Sequence, residues 1–502
     1  MMTIYNFMPR WLRSRGYLLA LICLLIAPGL QAQNMSLPQF EVHLGPVFSN
    51  IEIYDIAYDS TDQTYLVLGS NSGFVILVHR LRADGTIIWS KQYESIVSLR
   101  PSSIHILQNG DFAVLGVNGG TSVTGYLIRC ARDGTKLFGQ RIVTNIQPLS
   151  LLRPYGMVEQ SNGGLLVMSM VRTAGNLTGD DLMVQRFLPD LTPDWTRMYG
   201  TGLDDNLHAV IPDGNDGLYF AGNTQLVGNN YYPTIGQLDA QGNIVWLQRF
   251  TNLNFAAFTS LARGPSGKLY AAGWTGTVFV NHDFLLVGME DDGSQVHFAY
   301  SYPHPNGNYP KLPTTTLRYG ADDRLYMGDP DTTLGPKAYL LTRLDTFGIP
   351  IQTERIDLYP SANDEPSDFE LAGTADERIL FVGTDSASVQ FGGAAFTVPK
   401  GFVASWDTTF PGCVSMPIAP LTAVAAPSSI NPYTLNTLAL PSLTYQPQNF
   451  DFAFGSASSL VCPVCPFAIP FDTLYSQNLN PQNPTILVPV MAIDSADTAI
   501  SI

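Results

Sequence analysis

Side chains that could do chemistry fall in a few places along the 502 residues. Asp204 and Asp205 stand just before His208, so an imidazole able to act as a base lies near two carboxylates. His208 also alternates with Leu207 at the start of an apolar run, where packing or a local hydrogen bond accounts for it equally well. Asp364 and Glu365 form a second acidic group. Oxygen ligands of this kind suit a hard cation, so Ca2+ is the one cofactor these residues could take, and no other is expected. No D-x-[DN]-x-[DN]-G run is intact, however, and Asp and Asn populate turns whatever their function. Paired acids could serve glycoside hydrolysis only where a cleft sets their separation. There is no G-x-S-x-G elbow, no H-E-x-x-H helix and no glycine-rich phosphate loop, and His282, Asp283 and His297 lack metal-ligand spacing. Among the five cysteines, Cys130 sits in the apolar run YLIRCA, and Cys413 could bridge to Cys462 or Cys465. Cys462-Pro-Val-Cys465 has the spacing of a redox pair but no helical continuation to lower a thiol pKa.

The elements that must position these groups are short strands. From Trp195 to Phe250 the chain reads as one unit, with apolar runs at 207–211, 218–222 and 234–238 separated by turn residues. An apolar run closing on a small residue recurs at Gly69, Gly116, Ser169, Gly222, Gly273, Gly328 and Gly383, at spacings of 47 to 55 residues. A bend follows each, at Gly85, Gly134, Asp190, Gly242, Gly293, Gly348 and Thr408, and its D-G or Q-G form marks a hairpin. Four strands per unit and seven units predict an all-β, seven-bladed β-propeller. The seventh unit is one strand short, while Phe40–Leu44 alternates strictly and precedes the first unit, so the N-terminal strand is expected to close the ring. Loops entering the inner strands would then border a channel mouth, where Asp204, Asp205, His208, Asp364 and Glu365 are the candidate binding residues. Trp89, Phe138, Trp195 and Trp246 occupy matching places in the outer strands and are expected to fill the wedge between blades.

With those runs in view, MYGTGLDDNLHAVIPDGNDGLYFAGNT at 198–224 and DAQGNIVWLQRF at 239–250 resemble the repeats of secreted bacterial β-propeller proteins of the SBBP and delta-type classes, found on Bacteroidetes surfaces. The likeness covers roughly 40–410. It implies propeller architecture and a surface or extracellular setting, whereas chemistry would depend on the loops.

Residues 1–32 read as a signal peptide: Arg10, Arg13 and Arg15 precede an apolar stretch from Gly16, and Leu30-Gln31-Ala32 offers a cleavage point. That apolar core is too short to span a bilayer, and no later stretch is long and apolar enough, so a secreted, cell-surface or periplasmic chain is expected. The formal charge of −16 disfavours nucleic acid as a partner. Residues 33–410 form the propeller. Residues 411–502 contain 13 prolines and neither lysine nor arginine, and read as a linker with a small or incomplete β module. The expected function is a binding or structural module for an envelope, matrix or glycan partner. The rival is a propeller hydrolase or polysaccharide lyase using acidic loop residues.

Overall fold

The computed structural model describes residues 41–407 apart from 45–50, 72–74, 94–98, 119–123, 143–148, 174–178, 202, 227–229, 254, 278–279, 304–314, 332–337, 358–369, 374–377 and 392–393. Beyond 407 it describes 415–418, 424–425, 430–432, 436–438, 452–454, 459–462, 491–493 and 499–501. Residues 1–32, read above as a signal peptide, lie outside the described residues, as do Asp364, Glu365, Cys413 and Cys465 and the side chain of Cys462, which leaves the expected pairing outside the description too.

Every described regular element is a strand or bridge, in a β-propeller arrangement. Six sheets are each built on four consecutive antiparallel strands, spanning 51–93, 99–142, 149–200, 205–250, 256–302 and 316–357. Another sheet takes three strands from 370–407, and Glu41–His43 pairs with the outermost of them, Val42 opposite Val403. Where a seven-bladed propeller closed by the N-terminal strand was expected, the described residues form six complete four-stranded meanders, and 370–407 supplies only three consecutive strands. The first strands of neighbouring sheets lie side by side around an axis.

The core lies between sheets. Ile53, Tyr65 and Val67 of 51–93 share one buried cluster with Leu380, Val382 and Val403 of 370–407, and Leu44 is part of it. The sheets 99–142 and 149–200 share another, as do 205–250 and 256–302. Each sheet therefore buries both faces against neighbours, which is why the inner strands read as unbroken apolar runs.

The repeated small residue has a physical cause. In the first strand of five sheets one residue bulges out of the ladder, at Tyr54, Ser102, Tyr155, His208 and Thr259. The bulge tilts a backbone carbonyl over the facing strand, so a Cβ on Gly222 would lie 1.9 Å from the Asn206 oxygen, and one on Gly273 at 1.9 Å from that of Ala257.

The wedge-filling aromatics are explained by the bends. The ring of Trp195 lies against Gly242 of the next sheet, Trp246 against Gly293, and Trp89 against Gly134. The tyrosine four residues after the aromatic fastens the same bend: Tyr93 donates to the Gly134 carbonyl at 2.9 Å and Tyr302 to that of Gly348 at 2.6 Å. Phe138 departs from the expectation and is 43% exposed. The corresponding bend of the next sheet carries Leu191, at φ 64°, where the bends met by Trp89, Trp195 and Trp246 carry a glycine.

The tail is where the structure corrects the sequence reading most. Strands do form inside LNTLAL and FDFAF, at Asn436–Leu438 and Phe452–Phe454, but they belong to no separate module. Ser415–Ile418 pairs with Pro350–Asp357, Val424–Ala425 with Val296–Tyr302, Ile430–Pro432 with Ile244–Phe250, and Asn436–Leu438 with Pro193–Gly200. Phe452–Phe454 then pairs with Ile87–Tyr93, and Ser459–Cys462 with Glu41–His43. These are fifth strands on the outer edges, taken in the reverse of chain order. Residues 465–502 form a distinct unit, described only as a hairpin of Met491–Ile493 with Ala499–Ser501.

Candidate functional site: a cavity on the axis

The first strands enclose a cavity of about 480 Å³. All five bulged residues, Tyr54, Ser102, Tyr155, His208 and Thr259, line it, together with Asp55, His105 and Arg318. A bulged residue makes no ladder pair, and its side chain is free to turn toward the axis while its neighbours keep the sheet. One polar side chain from each of five sheets is thereby brought to one space.

The wall is polar yet poor in charge. His208 meets Tyr155 edge to face with ring centroids 6.0 Å apart. Burial pulls the pKa of both His208 and His105 down to about 4, so both imidazoles are neutral near pH 7 and can donate and accept hydrogen bonds. Burial also raises the pKa of the Tyr155 hydroxyl. The Asp55 carboxylate accepts from the backbone N–H of Ile56 and from that of Ile104 in the next sheet, each at 2.8 Å. Burial pushes its pKa up, and these two bonds and the charge of Arg318 oppose that shift. The volume and lining suit a small polar ligand or the end of a larger one.

Of the sequence-derived candidates among the described residues, only His208 reaches this wall. Asp205 is buried at the start of its strand and fully engaged there, accepting from the Thr201 N–H at 2.7 Å, the Thr201 hydroxyl at 2.8 Å and the Thr224 hydroxyl at 2.6 Å. Asp204 accepts from the Asp180 N–H at 3.0 Å and from the Tyr231 hydroxyl at 3.3 Å. The two therefore tie loops together beside Asp180, which Arg172 holds through two bonds of 2.6 and 2.8 Å. Asp181 completes that group, its pKa raised to about 7 by burial and by Asp205, Asp180 and Asp204. Among the described residues no three His, Cys, Asp or Glu side chains are arranged to hold a metal ion.

The residues that sequence reading missed had a signal. Tyr54, Ser102, Tyr155 and Thr259, like the candidate His208, each stand 14 or 15 residues before the small residue closing the following run. Phasing the repeats on that landmark aligns all five.

No protein-family model matches the chain, and no curated protein does. Solved structures of similar shape include an α-L-arabinanase of Penicillium chrysogenum, 10% identical with a TM-score of 0.42, covering 74% of this chain and 98% of its own. A sialidase of Streptococcus pneumoniae is 7% identical with a TM-score of 0.42, covering 74% and 95%. A polysaccharide lyase is 9% identical with a TM-score of 0.41, covering 70% and 89%.

Proposed function

We propose that this chain is an exported propeller that binds an envelope, matrix or glycan partner through the axial cavity. The observation that carries the reading is the wall itself: one bulged side chain from each of five sheets, mostly hydroxyl, phenol or neutral imidazole, around a space large enough for a sugar residue or two. Such groups match the alternating donors and acceptors of a polyol, and Tyr54 and Tyr155 supply flat apolar faces beside them. A glycan and cell-wall polymer array is the direct test. Binding is expected, with Tyr155→Ala and His208→Ala each weakening it about tenfold or more, in line with losing one buried polar contact. Ligands that bind both variants as tightly as the parent would remove the cavity from the account.

One observation favours a second reading, the polysaccharide lyase. A neutral His208 beside Tyr155, with Arg318 in the same wall, is a base, an acid and a cation. For a uronate, the base would take the proton next to the carboxylate, the acid would protonate the departing oxygen, and the cation would offset the growing negative charge. A hydrolase with paired acids fits less well, since Asp55 is the one carboxylate among the wall residues. Appearance of unsaturated uronate products in the same array would separate the lyase from the binder.

In this reading the ring has seven blades, counting the sheet of 370–407, and Glu41–His43 is its closing strand. The leader and the likeness to SBBP and delta-type repeats support an extracytoplasmic place. Deleting residues 33–46 removes Leu44 from its cluster and leaves the outermost strand of 370–407 without its neighbour. The deleted chain is expected to melt at lower temperature and to be cut first by protease within 370–407. An unchanged melting curve would show that the strand closes nothing.

A further inference from the structure

The fifth strands have a common design. Each is two to four residues long, each is antiparallel to the edge it meets, and none contains a charged residue: SMPI, VA, INP, NTL, FAF and SLVC. Their links along the chain are short in most steps, with five residues from Ile418 to Val424, four from Ala425 to Ile430 and three from Pro432 to Asn436. The segment therefore steps backwards around the sheets and contributes one strand at each stop, with none on 99–142 among the described residues. Six edges are held in series, each through a few backbone bonds of the kind by which extended peptides add to sheet edges.

We infer that residues 415–462 act as an exchangeable strand ligand of the outer edges, and that the partner this surface fits is the same segment from a second copy of the chain. Two arguments carry this. Each individual strand is too short to bind well alone, so the grip comes from linkage, and linked weak sites open one at a time while the rest stay engaged. Identical chains offer identical edges and identical segments, so a segment that crosses to a second copy remakes every pairing it lost.

The full chain with a site-specific protease sequence inserted between residues 408 and 414 tests this. After cleavage the C-terminal piece is expected to co-elute with the ring at micromolar concentration. When cleaved light and isotope-labelled heavy proteins are mixed, mixed complexes should appear in native mass spectra. Thr437→Pro, which disturbs only the Asn436–Leu438 pairing, should speed their appearance by roughly tenfold, the scale of one lost ladder bond, while retention persists. A piece that separates on cleavage would overturn the inference. So would a retained piece that yields no mixed complexes in either the parent or the Thr437→Pro protein, since a fixed structural tail predicts that result. A failure of glycan binding leaves this test untouched, because the edges and the axial cavity are separate surfaces.

Discussion

Arg80→Leu is expected to destabilise the protein by about 3 to 5 kcal/mol, the usual cost of removing one partner from a buried ion pair. Arg80 is 3% exposed at its side chain and bonds Asp59 at 2.6 Å, Asp62 at 2.7 Å and the Thr64 hydroxyl at 2.9 Å. It also reaches across to the carbonyl of Arg132 in the next sheet at 2.9 Å. Leucine fills the volume but leaves the Asp59 carboxylate buried. Arg132 pairs with the same carboxylate at 3.6 Å but is 42% exposed, so it offsets only part of the charge that Arg80 leaves behind. Denaturant midpoints should show the loss, and Asp59→Leu added to Arg80→Leu should restore a large part of it, since the stranded charge is then gone. If the double variant is no more stable than the single one, the cost lies in packing and not in charge.

Gly222→Ala is the second large effect, about 3 kcal/mol, at the upper end of what overpacking costs. The added carbon would meet the Asn206 carbonyl at 1.9 Å, and that obstacle is backbone, so no rotamer change relieves it. The same place in the sheet 149–200 is held by Ser169, opposite Pro154, where a side chain is already present. Ser169 Oγ is buried without a hydrogen-bond partner, so Ser169→Ala is expected to be neutral or mildly stabilising. Thermal unfolding of the two variants side by side isolates the carbonyl contact. Equal melting temperatures would mean that the bulge relaxes freely and does not dictate the small residue.

These two sites show what was legible in the chain. The small residue at 222 and its equivalents were visible as a repeat because backbone geometry recurs in every sheet and leaves a mark of residue size. The bends were visible because Asp-Gly and Gln-Gly answer a demand for positive φ that few other residues meet, as at Gly85 and Gly242. Apart from His208, which its imidazole singled out, the cavity wall was hidden because a bulge shifts the alternation by one residue, and period two then assigns Tyr155 to the wrong face. Asp204 and Asp205 drew notice by their charge, whereas their role is to knit a loop. The fifth strands were hidden for a different reason. Strands as short as Val424–Ala425 carry no periodicity, and the edges they meet lie far away in sequence, as Phe452 does from Tyr93.

The bulges also separate two kinds of inheritance. A side chain at Tyr54, Ser102, His208 or Thr259 takes no part in its ladder and belongs to none of the apolar clusters between the sheets, whereas Tyr155 also packs against one of them. The first four positions can therefore be rewritten by single substitutions while the scaffold keeps its shape. A lineage of such chains could drift through many ligand preferences at nearly constant stability, with the axis acting as a short alphabet spelled by one letter per sheet.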